Sequence, residues 1–153
     1  MLSQCIKWLK KNHKEIKVLF TWADGMLGKC GYVYQAANFT YAGYVGGKLY
    51  LMDGYKIHPR QTRRLLSPHD KMLTVRPTLE QMREHNIYHY KGKQYRYFYL
   101  LGDKRERKEL IKTLLVKDIP RPKDNDLKWT VRDHMSGKWV ESTKPPYKTD
   151  YYG

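Results

Sequence analysis

The chain has 153 residues, enough for one domain with a modest core and too few for two ordinary ones. Thirty lysines and arginines against fifteen acidic residues give a formal charge of +15, an excess that attracts polyanions but specifies no fold. Ribosomal, phosphate-backbone and anionic-membrane partners fit that charge; fourteen tyrosines and four tryptophans interleaved with the basic residues favour nucleic acid, and no apolar run reaches transmembrane length.

Leu2 to Lys11 reads as a helix, with Leu2, Cys5, Ile6 and Leu9 sharing one face and Lys7, Lys10 and Lys11 pointing elsewhere. Ile16 to Trp22 is a short apolar run suited to a buried strand. Ala23 to Gly31 is a turn with three glycines, and Tyr32 to Phe39 two turns of helix. A strand TYAGYV follows, then KLYLMDGYKIHP, which divides at Asp53-Gly54 into a hairpin. Gln61 to Thr74 reads as a loop or irregular helix and Thr78 to His85 as a short helix. NIYHY and YRYFYLLG around KGKQ form a second expected hairpin. Asp103 caps the clearest helix, with Glu106 three residues on and Leu110, Ile111, Leu114 and Leu115 on its apolar side. Beyond Ile119-Pro120 the chain is polar, with a small hairpin around His134 to Gly137 and a tail from Thr143. This order predicts an α/β or α+β fold with a partly antiparallel sheet. No leader-like segment precedes Cys5 and Cys30, so reduced thiols in a cytosolic protein are expected.

The segment WADGMLGKCGYVYQAANF carries the candidate chemistry. Asp24 ends a strand, where ligands of α/β sheets bind, or else caps the turn. Gly25, Gly28 and Gly31 permit a tight path or a close ligand, although their spacing matches no nucleotide fingerprint. Tyr34 is a proton donor, a metal or substrate ligand, or a cover for the sheet. Gln35 and Asn38 read a base edge or order a loop. His58 is a candidate base or simply exposed, and Arg60, Arg63 and Arg64 are candidate phosphate contacts. Lys91, Lys93, Arg96, Lys104, Arg105, Arg107 and Lys108 form the densest basic stretch. Tyr95, Tyr97 and Tyr99 fall on one strand face, expected to be buried, with Arg96 on the other. His85 and His89 do not make a zinc pair, and neither HExxH nor CxxC occurs.

The stretch WADGMLGKCGYVYQAANFTYAG resembles the signature of phage-encoded Mom-like proteins, with similar segments at His58-Pro59-Arg60 and from YRYFYLLGDKRERKELIKTLL into IPRPK. The resemblance runs from Leu2 to Lys123, leaving 124–153 as a polar extension. It implies the second half of a mixed sheet related to GNAT acyltransferases, and carbamoylmethylation of adenine in phage DNA against host restriction, in the cytoplasm of an infected bacterium. By resemblance, Asp24 and Tyr34 are active-site residues that hold iron together with a His-Tyr pair from an earlier half of the fold. Gly28, Gly31, Gln35 and Asn38 share the signature; an acyl-CoA-type donor is implied, and the two glycines are the candidates for contact with it. Lys29 and Cys30 stand where His and Thr are usual. Family members carry a further half-domain ahead of the first helix, so the expectation is a partner polypeptide or self-association that completes the sheet. The competing expectations are a non-catalytic nucleic-acid-binding protein and an assembly component.

Overall fold

A computed structural model describes residues 1–52, 55–57, 77–114 and 119–146. The Asp53-Gly54 turn, the Gln61 to Thr74 segment, His58, Pro59, Arg60, Arg63, Arg64, Leu115 and the tail beyond 146 lie outside the described residues. Helix α1 (Leu2–Asn12) forms on its predicted face except at Cys5, which is exposed. Ile6 is buried, Leu2 and Leu9 pack beside it, and Lys10 and Lys11 occupy the last turn, where cations suit the helix dipole. Strand β1 (Val18–Asp24) leads through a 3-10 turn (Gly25–Leu27) into α2 (Tyr32–Ala36). Strands β2 (Thr40–Met52) and β3 (Tyr55–Ile57), helix α3 (Leu79–Glu84), strand β4 (Ile87–Leu100) and helix α4 (Lys104–Thr113) follow. The hairpin β5 (Trp129–Arg132) and β6 (Trp139–Ser142) comes last.

The six strands form one sheet in the order β3-β2-β4-β5-β6, with β1 also on β4. Strand β2 runs along one edge of β4; β1 takes the C-terminal half of the other edge, and β5 its N-terminal half. An α-plus-β sheet with flanking helices therefore stands, and its described pairings are all antiparallel rather than mixed in direction. Strand β1 differs from the buried strand expected of its apolar run. Leu19 and Ala23 turn to the core, while Phe20 and Trp22 are 55% and 44% exposed. An antiparallel strand with one wet face needs only alternate positions buried.

The second expected hairpin is absent. KGKQ continues as the middle of the 14-residue β4, with Gly92 paired to Gly47 of β2. A side chain on Gly92 would lie 2.5 Å from Met26 Sδ and 3.0 Å from Trp129 Cδ1. The glycines mark the place where the 3-10 turn and the last hairpin press onto the sheet, which glycine inside a strand permits. TYAGYV and KLYLM are likewise one strand, β2, with a bulge between Tyr41 and Tyr44.

Three apolar clusters result. The largest joins Ile6, Ala23, Cys30, Phe39, Tyr41, Tyr95 and Tyr97 beneath α1 and α2. Met82 of α3 covers Tyr50 and Ile87, and Met26, Leu49 and Trp129 form the third. Helix α4 has the predicted Asp103–Glu106 capping box. Its apolar side is not core: Ile111 and Leu114 remain 49% and 45% exposed. The β5–β6 hairpin, read from sequence as part of a polar extension, belongs to the sheet and buries Trp129.

Candidate functional site

Asp24 stands where the sequence placed it, at the end of β1, and caps the following turn. Its Oδ1 accepts the Met26 N–H at 3.0 Å, satisfying one of the donors that a helical turn leaves open. The peptide groups after it are also engaged: the Gly28 N–H donates to Gly25 O and the Lys29 N–H to Asp24 O, at 3.1 and 3.2 Å.

Tyr34 lies on the other side of the sheet. Its ring packs 5.6 Å from those of Phe39 and Tyr97. Asp24 is paired with Gln94 on β4, whereas Tyr97 is paired with Thr21. Successive strand residues project to opposite faces, so the Asp24 side chain starts from the face opposite the one on which the Tyr34 ring packs. The structure does not bring this pair together.

Between α2 and the sheet lies a polar network that sequence reasoning missed. The fully buried Tyr97 hydroxyl donates to Cys30 O at 2.5 Å and accepts from Gln35 Nε2 at 2.9 Å. Gln35 Nε2 also reaches Pro122 O at 3.0 Å, Cys30 Sγ donates to Asp124 Oδ1 at 3.6 Å, and the Asp124 N–H donates to Tyr32 Oη at 3.2 Å. Gln35 thus orders the segment after α4 against α2. Burial pushes the Tyr97 phenol up to about 12 and raises the Cys30 thiol, with Asp124 adding to the latter. A protonated, buried thiol is a poor nucleophile and a poor metal ligand. Burial also pushes Tyr95 up to about 12. The alternation of YRYFYL was the available signal for Tyr97; nothing local in sequence linked it to Cys30 and Asp124.

The two candidate cofactor glycines have structural reasons to be glycine. Gly31 has φ +96°, and a side chain there would lie 2.5 Å from Tyr97 Cε2. Gly28 ends the 3-10 turn in the left-handed region at φ +71°. Nor do the donors converge on a metal: Asp24 and Tyr34 are separated by the sheet, and among the described residues no three His, Cys, Asp or Glu side chains cluster to hold one. The residues described here do not by themselves fit an iron site, and the engaged Gly28 and Lys29 amides do not fit a pyrophosphate cradle.

The basic candidates separate into groups. Lys91 Nζ lies 3.7 Å from the Trp139 ring centre and Lys93 Nζ 4.2 Å from that of Tyr44. Arg96 projects from the same face of the sheet as Trp22. Lys104 joins a groove of about 490 Å³ between α4 and the end of the sheet, lined also by Asn38 and Thr40. Tyr99, Leu100, Arg107, Lys108 and Ile111 line it too. Arg105 does not line it. Asn38, an exposed residue at φ +62°, faces this groove rather than Asp24. Among the described residues no helix is long and apolar enough to cross a membrane.

Residues 1–123 match the sequence profile of the Mom protein family. The chain is also similar to the methylcarbamoylase mom of Escherichia phage Mu, at 30% identity over 122 residues. That alignment takes in 80% of this chain and 48% of the relative, so the chain spans about half the length of the curated protein it matches.

Proposed function

Because the chain belongs to the Mom protein family, we propose that it serves in a carbamoylmethyl-type modification of adenine in phage DNA that protects against host restriction. The observation that carries this reading is the family match over residues 1–123, which includes the whole Asp24-to-Asn38 segment. Asp24 and Tyr34 are the acid and phenol carried over from the family, on a fold related to the GNAT acyltransferases. Their separation by the sheet means that the reacting site needs donors from elsewhere, supplied by a second polypeptide or a second copy of this chain. An adenine amino group is buried in duplex DNA, so the base must leave the stack to react. The excess positive charge supplies the affinity for that duplex. By family resemblance, iron and an acyl-CoA-type donor would serve the completed site.

A specific observation favours a second reading, a DNA-binding protein without the chemistry. Asp24 is engaged in a turn cap and Tyr34 in ring packing, both roles that need no substrate. Mass spectrometry of nucleosides from a host expressing the chain, alone and with the neighbouring phage proteins, separates the two. A carbamoylmethylated adenine in either condition supports modification; unmodified nucleosides in both, alongside salt-dependent DNA binding, support the second reading.

A further inference from the structure

We infer that the groove between α4 and the end of the sheet seats the phosphate backbone of DNA, gripped by Lys104, Arg107 and Lys108. The identity of the polyanion rests on the reading above; the placement rests on geometry alone.

Lys104, Arg107 and Lys108 recur at spacings of three and four, so one face of α4 presents all three. Among the described residues, none lining the groove is acidic. The acids of α4 lie elsewhere: Glu106 accepts the Asp103 N–H at 2.9 Å and pairs with Lys17 at 2.7 Å, and Glu109 is outside the groove. Lys10 of α1 does not line the groove; its Nζ donates to the Tyr99 hydroxyl at 3.2 Å.

Some of the other cations are already engaged. Lys17 is neutralised by Glu106, and Lys91 and Lys93 lie over aromatic rings. Among the described residues no ion pair engages Lys104, Arg107 or Lys108. Asn38 and Thr40, which also line the groove, offer neutral hydrogen-bond donors of the kind that position a backbone without reading sequence. Leu100, which lines the groove, is six residue steps along β4 from Gln94, the partner of Asp24. At ~3.3 Å per residue that is about 20 Å, so the groove is an anchor remote from the Asp24 turn.

The test is the salt dependence of binding to a short DNA duplex by the full chain, comparing two double variants of equal charge. Lys104→Gln with Lys108→Gln strips the groove rim. Arg105→Gln with Lys112→Gln strips a strip of α4 about a quarter-turn away, outside the groove. Each lost phosphate contact lowers the slope of log affinity against log salt by ~0.9. The rim variant is expected to lose roughly 2 from the slope, with the control unchanged and both melting like the parent. Equal losses in the two variants would assign the effect to net charge and overturn the inference, as would no loss in the rim variant. A second arm titrates dAMP and inorganic phosphate: loss of their binding in the rim variant with the duplex slope intact would make the groove a small-phosphate site and also overturn it. Nucleoside analysis is an independent readout. Modification with an insensitive slope sinks only the groove, and a sensitive slope without modification sinks only the proposed reaction.

Discussion

Replacing Gly31 with alanine separates a packing role from a ligand-binding one. The new methyl group would stand 2.5 Å from Tyr97 Cε2 and 2.8 Å from Cζ, against a ring with no exposed surface. The ring cannot swing aside without breaking its hydroxyl bonds to Cys30 and Gln35. Overpacking of this kind costs about 1–3 kcal/mol, and the left-handed backbone at φ +96° adds about 1–2 kcal/mol for a residue with a Cβ. The expected total is about 2–5 kcal/mol, a large share of the ~5–15 kcal/mol that holds a domain. Gly28→Ala is the control. It has a similar backbone at φ +71°, but its nearest neighbour is Pro145 at 3.8 Å, so only the backbone cost of about 1–2 kcal/mol applies. Urea unfolding monitored by circular dichroism gives both values from the midpoint and slope. A Gly31→Ala variant no less stable than Gly28→Ala would refute the packing argument and leave ligand contact as the reason for the glycine.

Further expectations concern the rest of the sheet. Trp129→Ala removes a buried ring and the indole N–H bond to Gly25 O at 2.9 Å; a loss of about 3–5 kcal/mol in urea unfolding is expected, with Trp129→Phe costing less because most of the apolar contact remains. Tyr95 and Tyr97 have folded-state values of about 12, raised by burial from an ordinary 10.0. Their stabilisation is complete below pH ~10 and is lost as pH rises towards 12, because the unfolded chain releases those protons first. Urea midpoints should therefore fall across that alkaline window, and less steeply in Tyr97→Phe. Asp103→Ala removes the α4 cap, in which Oδ1 accepts the Glu106 N–H at 2.8 Å. It should lower stability by about 0.5–2 kcal/mol, read as reduced thermal stability in calorimetry.

The parts of this fold legible in the sequence are those governed by local rules. The α4 cap, the face of α1, the short α3 and the β5–β6 hairpin each follow from spacing and capping chemistry within a few residues. The turn read at KGKQ failed because Gly92 serves a contact with Met26 and Trp129, dozens of residues away in both directions. Of the site, Asp24 and Tyr34 were visible as residue types, but the face of Asp24 depends on register with β4 and that of Tyr34 on how α2 packs against Tyr97, which no local pattern sets. Likewise Lys91, Lys93, Arg96, Lys104 and Arg105 are one basic stretch in sequence and several surfaces in space, because β4 alternates faces and α4 turns away from it.

Nucleoside mass spectrometry on DNA from hosts carrying the parent chain, Asp24→Asn, or the Lys104→Gln and Lys108→Gln pair, each with the neighbouring phage proteins, tests the central claim most directly. The account predicts carbamoylmethylated adenine with the parent, none with Asp24→Asn despite intact DNA binding, and a reduced yield with the rim pair. Unmodified DNA with the parent, or undiminished modification with Asp24→Asn, would contradict it.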